Sequence, residues 1–253
     1  MGSDVFERYG AYYDLLYRDK DYAAESDYVA QTLRSAAPET RSLLEFGSGT
    51  GHHGRLLAAR GFKVTGIERS KSMIAAARRI SSANGGFDCQ EGDIGTTHLD
   101  RTFDAVIALF HVLSYQTSDA AIERTFANAA SHLNPGGLFL FDVWHGPAVL
   151  KKGPSVRTKE VEDATTKLTR TAVPKLDSEK QIVVVRYEIV AKSIPEDRTD
   201  TFQEEHRMRY FFPEEIKLLA DRNGFVVERC EELVTARPPS DETWAVCYLL
   251  RKV

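Results

Sequence analysis

The feature that most constrains this chain is a glycine-rich turn between a short apolar strand and a helix. Ser42–Phe46 has the pattern of a buried strand, and a helix is predicted over His53–Arg60, where Gly61 ends it. Glycine occupies alternate positions of the turn: Gly47, Gly49 and Gly51. Glycine lets the backbone turn sharply and lets a ligand lie close against it. The unit therefore predicts a ligand site at the end of the strand.

Strands and helices alternate from this turn onward. The apolar runs predict further strands at Phe62–Ile67, Phe87–Gln90, Phe103–Leu109 and Leu138–Val143. Between them we expect one helix capped by Ser70 and another over Asp119–Leu133, capped by Asp119 and ended by Asn134–Gly137. This order indicates a parallel sheet covered by helices on both faces, with its strand C-termini on one edge, where ligands bind.

The segments on either side of this region have other patterns. The first forty residues have helical spacing of aromatic and apolar side chains and predict a helical cap. A helix from Pro213 and strands at Phe225–Glu231 and Thr243–Arg251 are expected to complete the core. We predict that residues 1–150 and 210–253 form the core and its cap. Residues 151–209 would form an inserted antiparallel β lobe, without a clear helix, for substrate binding or dimerisation. The β-like runs there are Lys167–Thr171, Ile182–Ala191 and His206–Phe212.

Composition disfavours several function classes. The 253 residues carry a net charge of −4 without a basic tract, so no nucleic-acid partner is expected. No apolar run is long enough to cross a bilayer, and the polar stretch Met1–Gly10 does not resemble a secretory signal. The three cysteines are widely spaced and favour reduced thiols in a cytoplasmic protein. His52 and His53 lack a suitably spaced partner, so no metal site is predicted.

Three acids accompany the predicted strand ends. Glu45 precedes the turn, where it can meet an amino group, and Glu68 ends the second strand, where a carboxylate accepts ribose hydroxyls. Asp93 follows the third strand and can accept from an adenine amine, while Ile94 covers the ring. The Gly-x-Gly-x-Gly spacing disfavours an NAD-dependent dehydrogenase, whose turn has the Gly-x-Gly-x-x-Gly spacing, but leaves it as an alternative.

In this order, the motifs from Glu45 to Gly51, Glu68, Asp93, Phe103–Val106 and Leu133–Gly137 resemble those of the class I S-adenosylmethionine (SAM)-dependent methyltransferases. The resemblance implies a Rossmann-like sheet of seven strands, the last antiparallel, and SAM as cofactor. It also implies a set of cofactor-binding residues: Tyr13, Glu45, Gly47, Gly49, Gly51, Glu68, Arg69, Met73, Asp93, Ile94, Leu109 and Phe110.

A narrower resemblance extends beyond the core. Tyr13–Tyr17, the inserted lobe, Trp144, Glu204–Arg207 and Phe211–Glu215 are similar to segments of the N,N-dimethyltransferases of dTDP-linked amino sugars of the desosamine and mycaminose kind. The resemblance implies a nucleotide-linked amino sugar as acceptor and a homodimer. This chain departs from the group at Tyr115, where the group can carry histidine.

The residues expected to act on the acceptor follow from these positions. We predict catalytic roles for His111, Tyr115 and Tyr13, since an amine must lose a proton and be positioned for an in-line displacement. The predicted substrate-binding residues are Tyr17, Tyr115, Trp144, His145, His206 and Arg207. The histidines and aromatic residues could equally be packing residues, and Arg207 could pair with Glu204 or Glu205. An N- or O-methyltransferase of another small metabolite and a non-catalytic SAM-binding module remain alternative functions.

Overall fold

The secondary structure follows the predicted alternation. The structure, a computed structural model, describes residues 6, 8–81 and 85–253. Its strands are β1 (Ser42–Phe46), β2 (Lys63–Glu68), β3 (Phe87–Glu91), β4 (Phe103–Ala108), β5 (Leu133–His145), β6 (Arg157–Glu162), β7 (Thr166–Asp177), β8 (Ile182–Ser193), β9 (Arg198–Phe211), β10 (Phe225–Glu232) and β11 (Ala245–Lys252). Its α-helices are α1 (Tyr13–Leu16), α2 (Tyr22–Ala36), α3 (His52–Ala59), α4 (Lys71–Ser81), α5 (Asp119–Ser131), α6 (Gly146–Lys152) and α7 (Pro213–Arg222).

The core sheet has the order β3-β2-β1-β4-β5-β11-β10. Strands β1 to β5 pair in parallel, and β11 runs antiparallel to both β5 and β10. Successive side chains of a strand point to opposite faces. Leu43 accordingly packs with Leu33 of α2 and Leu57 of α3, whereas Leu44 belongs to the cluster that contains Phe126 of α5. The predicted α/β sheet with helices on both faces is confirmed.

Two local predictions around α5 and β5 are wrong. Ser118, not Asp119, caps α5, since its Oγ accepts from Ala121 N at 3.3 Å, and Asp119 is the first helical residue. Residues 134–137 lie inside β5, which begins at Leu133 rather than at Leu138. Pairing with β4 shifts register across this segment, so the glycines form an irregularity in the strand rather than a separate linker.

The β-like segment after α6 contains four antiparallel strands, β6 to β9. The runs in β7, β8 and β9 were expected; β6 was missed because the sequence of Arg157–Glu162 is mostly charged and exposed. Residues 151 and 152 belong to α6, against the expectation of no helix there. The strand β9 continues past residue 209 and pairs in parallel with the end of β5 through Tyr210 and Phe211. The division into core and lobe stays a prediction.

The N-terminal segment is only partly helical. A 3₁₀ turn at Tyr9–Tyr12 and the four-residue α1 form the first part of the predicted helical cap, and α2 forms the second part. Tyr9 and Leu16 pack against Leu168 of β7 and Ile189 of β8, so this segment lies against the strands of the predicted lobe. Residues 1–5 and 7, part of the stretch judged unlike a secretory signal, lie outside the described residues. Within the described part of the chain, no helix has the length and apolarity needed to cross a membrane.

Candidate active site

A cavity of about 350 Å³ opens at the C-terminal edge of the parallel strands. Fifteen of the sequence-predicted site residues line it: Tyr13, Tyr17, Gly47, Gly49, Glu68, Arg69, Met73, Asp93, Ile94, Leu109, Phe110, His111, Tyr115, Trp144 and His206. Parallel strands carry their C-terminal loops to one edge, which explains why segments distant in sequence meet here. The predicted location of the site is therefore the location of the cavity, while the role of each residue stays a prediction.

The glycine turn lies at one end of the cavity. Gly47 has φ +65°, and a Cβ there would lie 2.7 Å from the methyl carbons of Val112. Gly49 has φ +55°, and the nearest atom to a Cβ there would be Met73 Sδ at 3.8 Å. Both positions require the left-handed conformation that glycine adopts without strain. Because Gly49 borders open space, a ligand can approach its backbone closely.

Glu68 presents its carboxylate to the same end. The side chain is only 6% exposed, and each oxygen accepts one backbone hydrogen bond, Oε2 from Gly49 N at 2.9 Å and Oε1 from Ser70 N at 2.8 Å. Burial raises the pKa of Glu68, and these backbone bonds oppose that rise. Each oxygen keeps a further lone pair, so the carboxylate can accept two hydroxyl groups.

Asp93 and Ile94 form the neighbouring wall. Asp93 Oδ1 accepts from Gly95 N at 2.8 Å, which holds the acidic turn after β3. Ile94 is buried, with 7% exposure, and its side chain belongs to the core. This wall combines a carboxylate with an apolar surface, as recognition of a base with an exocyclic amine requires.

The loop after β4 borders the middle of the cavity. Phe110 and His111 both have positive φ, at 64° and 63°. His111 Nδ1 lies 2.6 Å from Oδ2 of Asp142, a fully buried residue of β5 that the sequence reasoning missed. The signal was available, since Asp142 is the acid inside the otherwise apolar run Leu138–Val143.

Polar side chains connect Tyr115 to the lobe strands. The Tyr115 hydroxyl lies 2.8 Å from His206 Nδ1, and His206 Nε2 lies 3.1 Å from Glu204 Oε1. Burial holds the pKa of Tyr115 well above its usual value, so the hydroxyl keeps its proton and acts as a donor. Glu204 also accepts from the backbone N–H groups of Phe6 and Tyr9, which attaches the N-terminal segment to this wall.

Aromatic side chains form the rest of the far end. Trp144 and Trp244 are half-buried and lie in edge-to-face contact, with ring centroids 5.5 Å apart. The lining residues that the sequence reasoning did not identify are Phe6, Tyr9, Ile67, Gly92, Val112, Gln116, Tyr187, Met208 and Trp244. Tyr187 and Met208 come from β8 and β9, and only the folded position of these strands brings them to the cavity.

Four predicted site residues lie outside the cavity lining. The Glu45 carboxylate is 2% exposed beneath the turn, where burial raises its pKa to about 8. Gly51 faces Phe87, and a Cβ there would lie 2.5 Å from that ring. His145 is buried at the start of α6, and Arg207 is exposed beside Glu205, with an Nη1–Oε1 distance of 3.5 Å. Their predicted contacts with ligands stay predictions.

The two histidines after the turn pair with acids of the N-terminal region. His52 Nε2 lies 3.1 Å from Asp14 Oδ1, and His53 Nε2 lies 2.7 Å from Glu25 Oε2. In the part of the chain that the structure describes, the His, Cys, Asp and Glu side chains form no group of three or more that could hold a metal ion.

The chain is similar to known proteins in sequence. The family model described as a methyltransferase domain matches residues 43–137. The dTDP-3-amino-3,6-dideoxy-α-D-glucopyranose N,N-dimethyltransferase of Streptomyces fradiae is 31% identical over 219 residues, which are 85% of this chain and 83% of that enzyme. The dTDP-3-amino-3,4,6-trideoxy-α-D-glucopyranose N,N-dimethyltransferase of Streptomyces venezuelae is 35% identical over 144 residues, and the match spans 59% of its length and 56% of this chain.

Solved structures share the fold over the whole chain. SAM-bound CalS10, an amino pentose methyltransferase from Micromonospora echinaspora, superposes with a TM-score of 0.77 at 23% identity and covers 100% of both chains. At this identity the likeness is one of fold.

Proposed function

Because this chain belongs to the SAM-dependent methyltransferase family, with SAM as its cofactor, we propose that it methylates the amine of a nucleotide-linked amino sugar. One observation carries the proposal. One cavity is lined by the glycine turn and Glu68, by His111, and by the aromatic side chains of Trp144 and Trp244. Bound SAM supplies a methyl group on a sulfonium that is already activated for displacement.

The residues at the glycine-turn end of the cavity fit SAM. The open space beside Gly49 accepts a ligand against the backbone, and the two oxygens of Glu68 suit a ribose diol. Asp93 and Ile94 would bind the adenine, and Arg69 and Met73 would border the nucleoside. In this proposal, Leu109 and Phe110 lie beside the reacting centre, and Tyr13 covers it.

The far end suits a sugar with an amino group. Trp144 and Trp244 offer flat apolar surface to a sugar ring, and Tyr115 and His206 offer polar groups that fix its orientation. Arg69 is the only lysine or arginine among the described lining residues. A diphosphate would therefore stay near the cavity mouth while the sugar enters.

An amine attacks only as a free base, so the site needs a neutral nucleophile and a place for its proton. His111 lines the cavity, and an imidazole can take up a proton near neutral pH. Tyr115 keeps its proton, which lies toward His206 Nδ1, so its oxygen would accept a hydrogen bond from the acceptor rather than act as a base. The catalytic work of the chain is then orientation of the amine and acceptance of its proton.

The proposal is tested by incubating the protein with SAM and a panel of dTDP-linked amino sugars and reading product masses. Each amino sugar is matched with the same sugar carrying a hydroxyl in place of the amine. We expect one or two methyl increments on at least one amino sugar and none on its hydroxyl partner. Methylation of the hydroxyl sugars or of other metabolites alone would support the alternative acceptor class. SAM binding without turnover on any acceptor would support a binding module.

The proposal also includes the oligomeric state and the cellular location of the protein. We infer a homodimer in the cytoplasm, consistent with three cysteines that are all unpaired thiols in the described chain. Light scattering of the purified protein measures the first point: a mass corresponding to two chains is expected, and a monomer contradicts it.

A further inference from the structure

Asp142 is an unusual residue for the centre of a strand. Its side chain is completely buried on β5, and its register partner on the neighbouring strand β11 is Cys247. Removing a carboxylate from water is costly unless a partner compensates it. An acid in this position therefore needs a specific role, and its contacts identify the residue that it serves.

All the polar contacts that the structure gives to Asp142 come from His111. The backbone N–H of His111 lies 3.2 Å from Oδ1 and 3.1 Å from Oδ2, and the imidazole Nδ1 lies 2.6 Å from Oδ2. Phe110 and His111 hold adjacent left-handed conformations, which are strained for residues with a side chain. The carboxylate therefore fixes both the strained backbone and the ring of the same residue.

The charge of Asp142 is well defined. Burial raises the pKa of Asp142, but the charge and hydrogen bonds of His111, together with the more distant Lys20, bring that pKa below its usual value. Lys20 lies over the Phe110 ring at 4.3 Å and is itself paired with Glu25. Asp142 is therefore an anion, and the other titratable groups around the pair are Lys20, Glu25 and Cys247.

The opposite nitrogen of the imidazole is available. The His111 side chain is 17% exposed and lines the cavity. Within the described residues, no protein group hydrogen-bonds to Nε2, whereas Nδ1 faces the carboxylate. The Nδ1–Oδ2 contact is short but not straight enough to count as a hydrogen bond, and catalytic pairs often become aligned only with substrate bound.

We propose that Asp142 is a positioning residue that keeps the His111 proton on Nδ1 and presents Nε2 to the acceptor amine as the proton acceptor. This inference rests on the proposed function. When the acceptor enters as its ammonium form, one N–H bond of that ammonium breaks, the electron pair stays on nitrogen as the lone pair of the free amine, and the proton forms a bond to Nε2. His111 then carries one positive charge beside the anion of Asp142, which does not take up the proton, and His111 returns the proton to water.

The first test is the tautomer of His111 in protein labelled with ¹⁵N-histidine, measured at a pH where the ring is neutral and assigned with His111→Gln. We expect a protonated Nδ1 and a bare Nε2. In Asp142→Asn the amide places a donor where Oδ2 stood, so the proton is expected to move to Nε2. A native His111 protonated on Nε2, or an unchanged tautomer in Asp142→Asn, overturns the inference.

The second test is the pH profile of methyl transfer. Asp142→Asn should lower kcat about 100-fold, the low end of a general-base contribution, with little change in the acceptor KM. The acid limb of the profile should move to lower pH, because imidazolium loses its neighbouring anion. A reduced kcat with an unmoved acid limb would mean that Asp142 only supports the loop.

Asp104→Asn is the matched control. Asp104 also accepts from backbone, through Ser42 N at 2.9 Å, but it lies at the opposite end of β4. The His111 tautomer, kcat and acid limb are expected to stay native in this variant, and a change in all three would assign the effect to general destabilisation. If no amino sugar is methylated while the tautomer behaves as expected, the proposed acceptor fails and the positioning role stands.

Discussion

Replacing Glu68 with glutamine isolates the contribution of one carboxylate to cofactor binding. Both oxygens already accept a backbone N–H, at 2.9 Å from Gly49 and 2.8 Å from Ser70. A glutamine amide can satisfy only one of these donors and turns its NH₂ toward the other. The ribose also loses a charged acceptor, which costs about 1.5–3 kcal/mol. That range is roughly a 10- to 150-fold rise in Kd for SAM at 25 °C.

Isothermal titration of SAM into the wild type and Glu68→Gln measures this change directly. Glu91→Gln is the control, because Glu91 is the register partner of Glu68 on β3 but is exposed and lies outside the cavity lining. Its Kd is expected to stay within about twofold of the wild type, since an exposed charge contributes little. A folded Glu68→Gln protein with native SAM affinity would refute the assignment of Glu68 to the ribose.

Three further predictions concern single-residue substitutions. Gly49→Ala and Gly61→Ala each force a residue into positive φ, +55° and +94°, and should lower the free energy of unfolding by about 1–2 kcal/mol. Only Gly49→Ala should also weaken SAM binding in titration; equal affinities would show that the turn does not touch the cofactor. Glu45 has a pKa raised by burial from 4.5 to about 8, so its stabilising contribution is complete below pH 4.5 and is lost as pH rises through about 8. Urea unfolding should therefore show the free energy of unfolding of Glu45→Gln rising relative to that of the wild type, by up to about 4 kcal/mol between the two pKa values. A difference that stays constant with pH would contradict the raised pKa. Trp244→Ala should raise the acceptor KM about 2- to 10-fold through lost stacking without changing the SAM Kd, and steady-state kinetics with an unchanged KM would place the sugar elsewhere.

The cofactor end of the site was predictable because each of its parts is local in sequence. The strand, the alternate glycines and the helix occur in one run, and Glu68 and Asp93 each follow a strand whose parallel pairing sets their place. Parallel order carries every such strand end to the same edge. The sequence therefore predicted most of the residues that line that half of the cavity, although the predicted Glu45 and Gly51 lie outside the lining.

The acceptor end depended on contacts that no local pattern encodes. Tyr187 reaches the cavity only because β9 joins the end of β5 through Tyr210 and Phe211. Asp142 reads as one polar residue in an apolar strand until the paired ends of β4 and β5 place it beside His111. Glu45 shows the opposite case, because its proximity in sequence to the turn suggested a ligand contact while its side chain points beneath the turn.

Identifying the methylated atom tests most directly whether the protein methylates the amine of a nucleotide-linked amino sugar. The protein is incubated with methyl-¹³C-labelled SAM and a dTDP-linked amino sugar, and the product is read by proton–carbon correlation NMR. We expect a labelled methyl signal that correlates with the carbon bearing the amine, as an N-methyl group. A labelled O-methyl signal, or no labelled sugar from a protein that binds SAM, would contradict it.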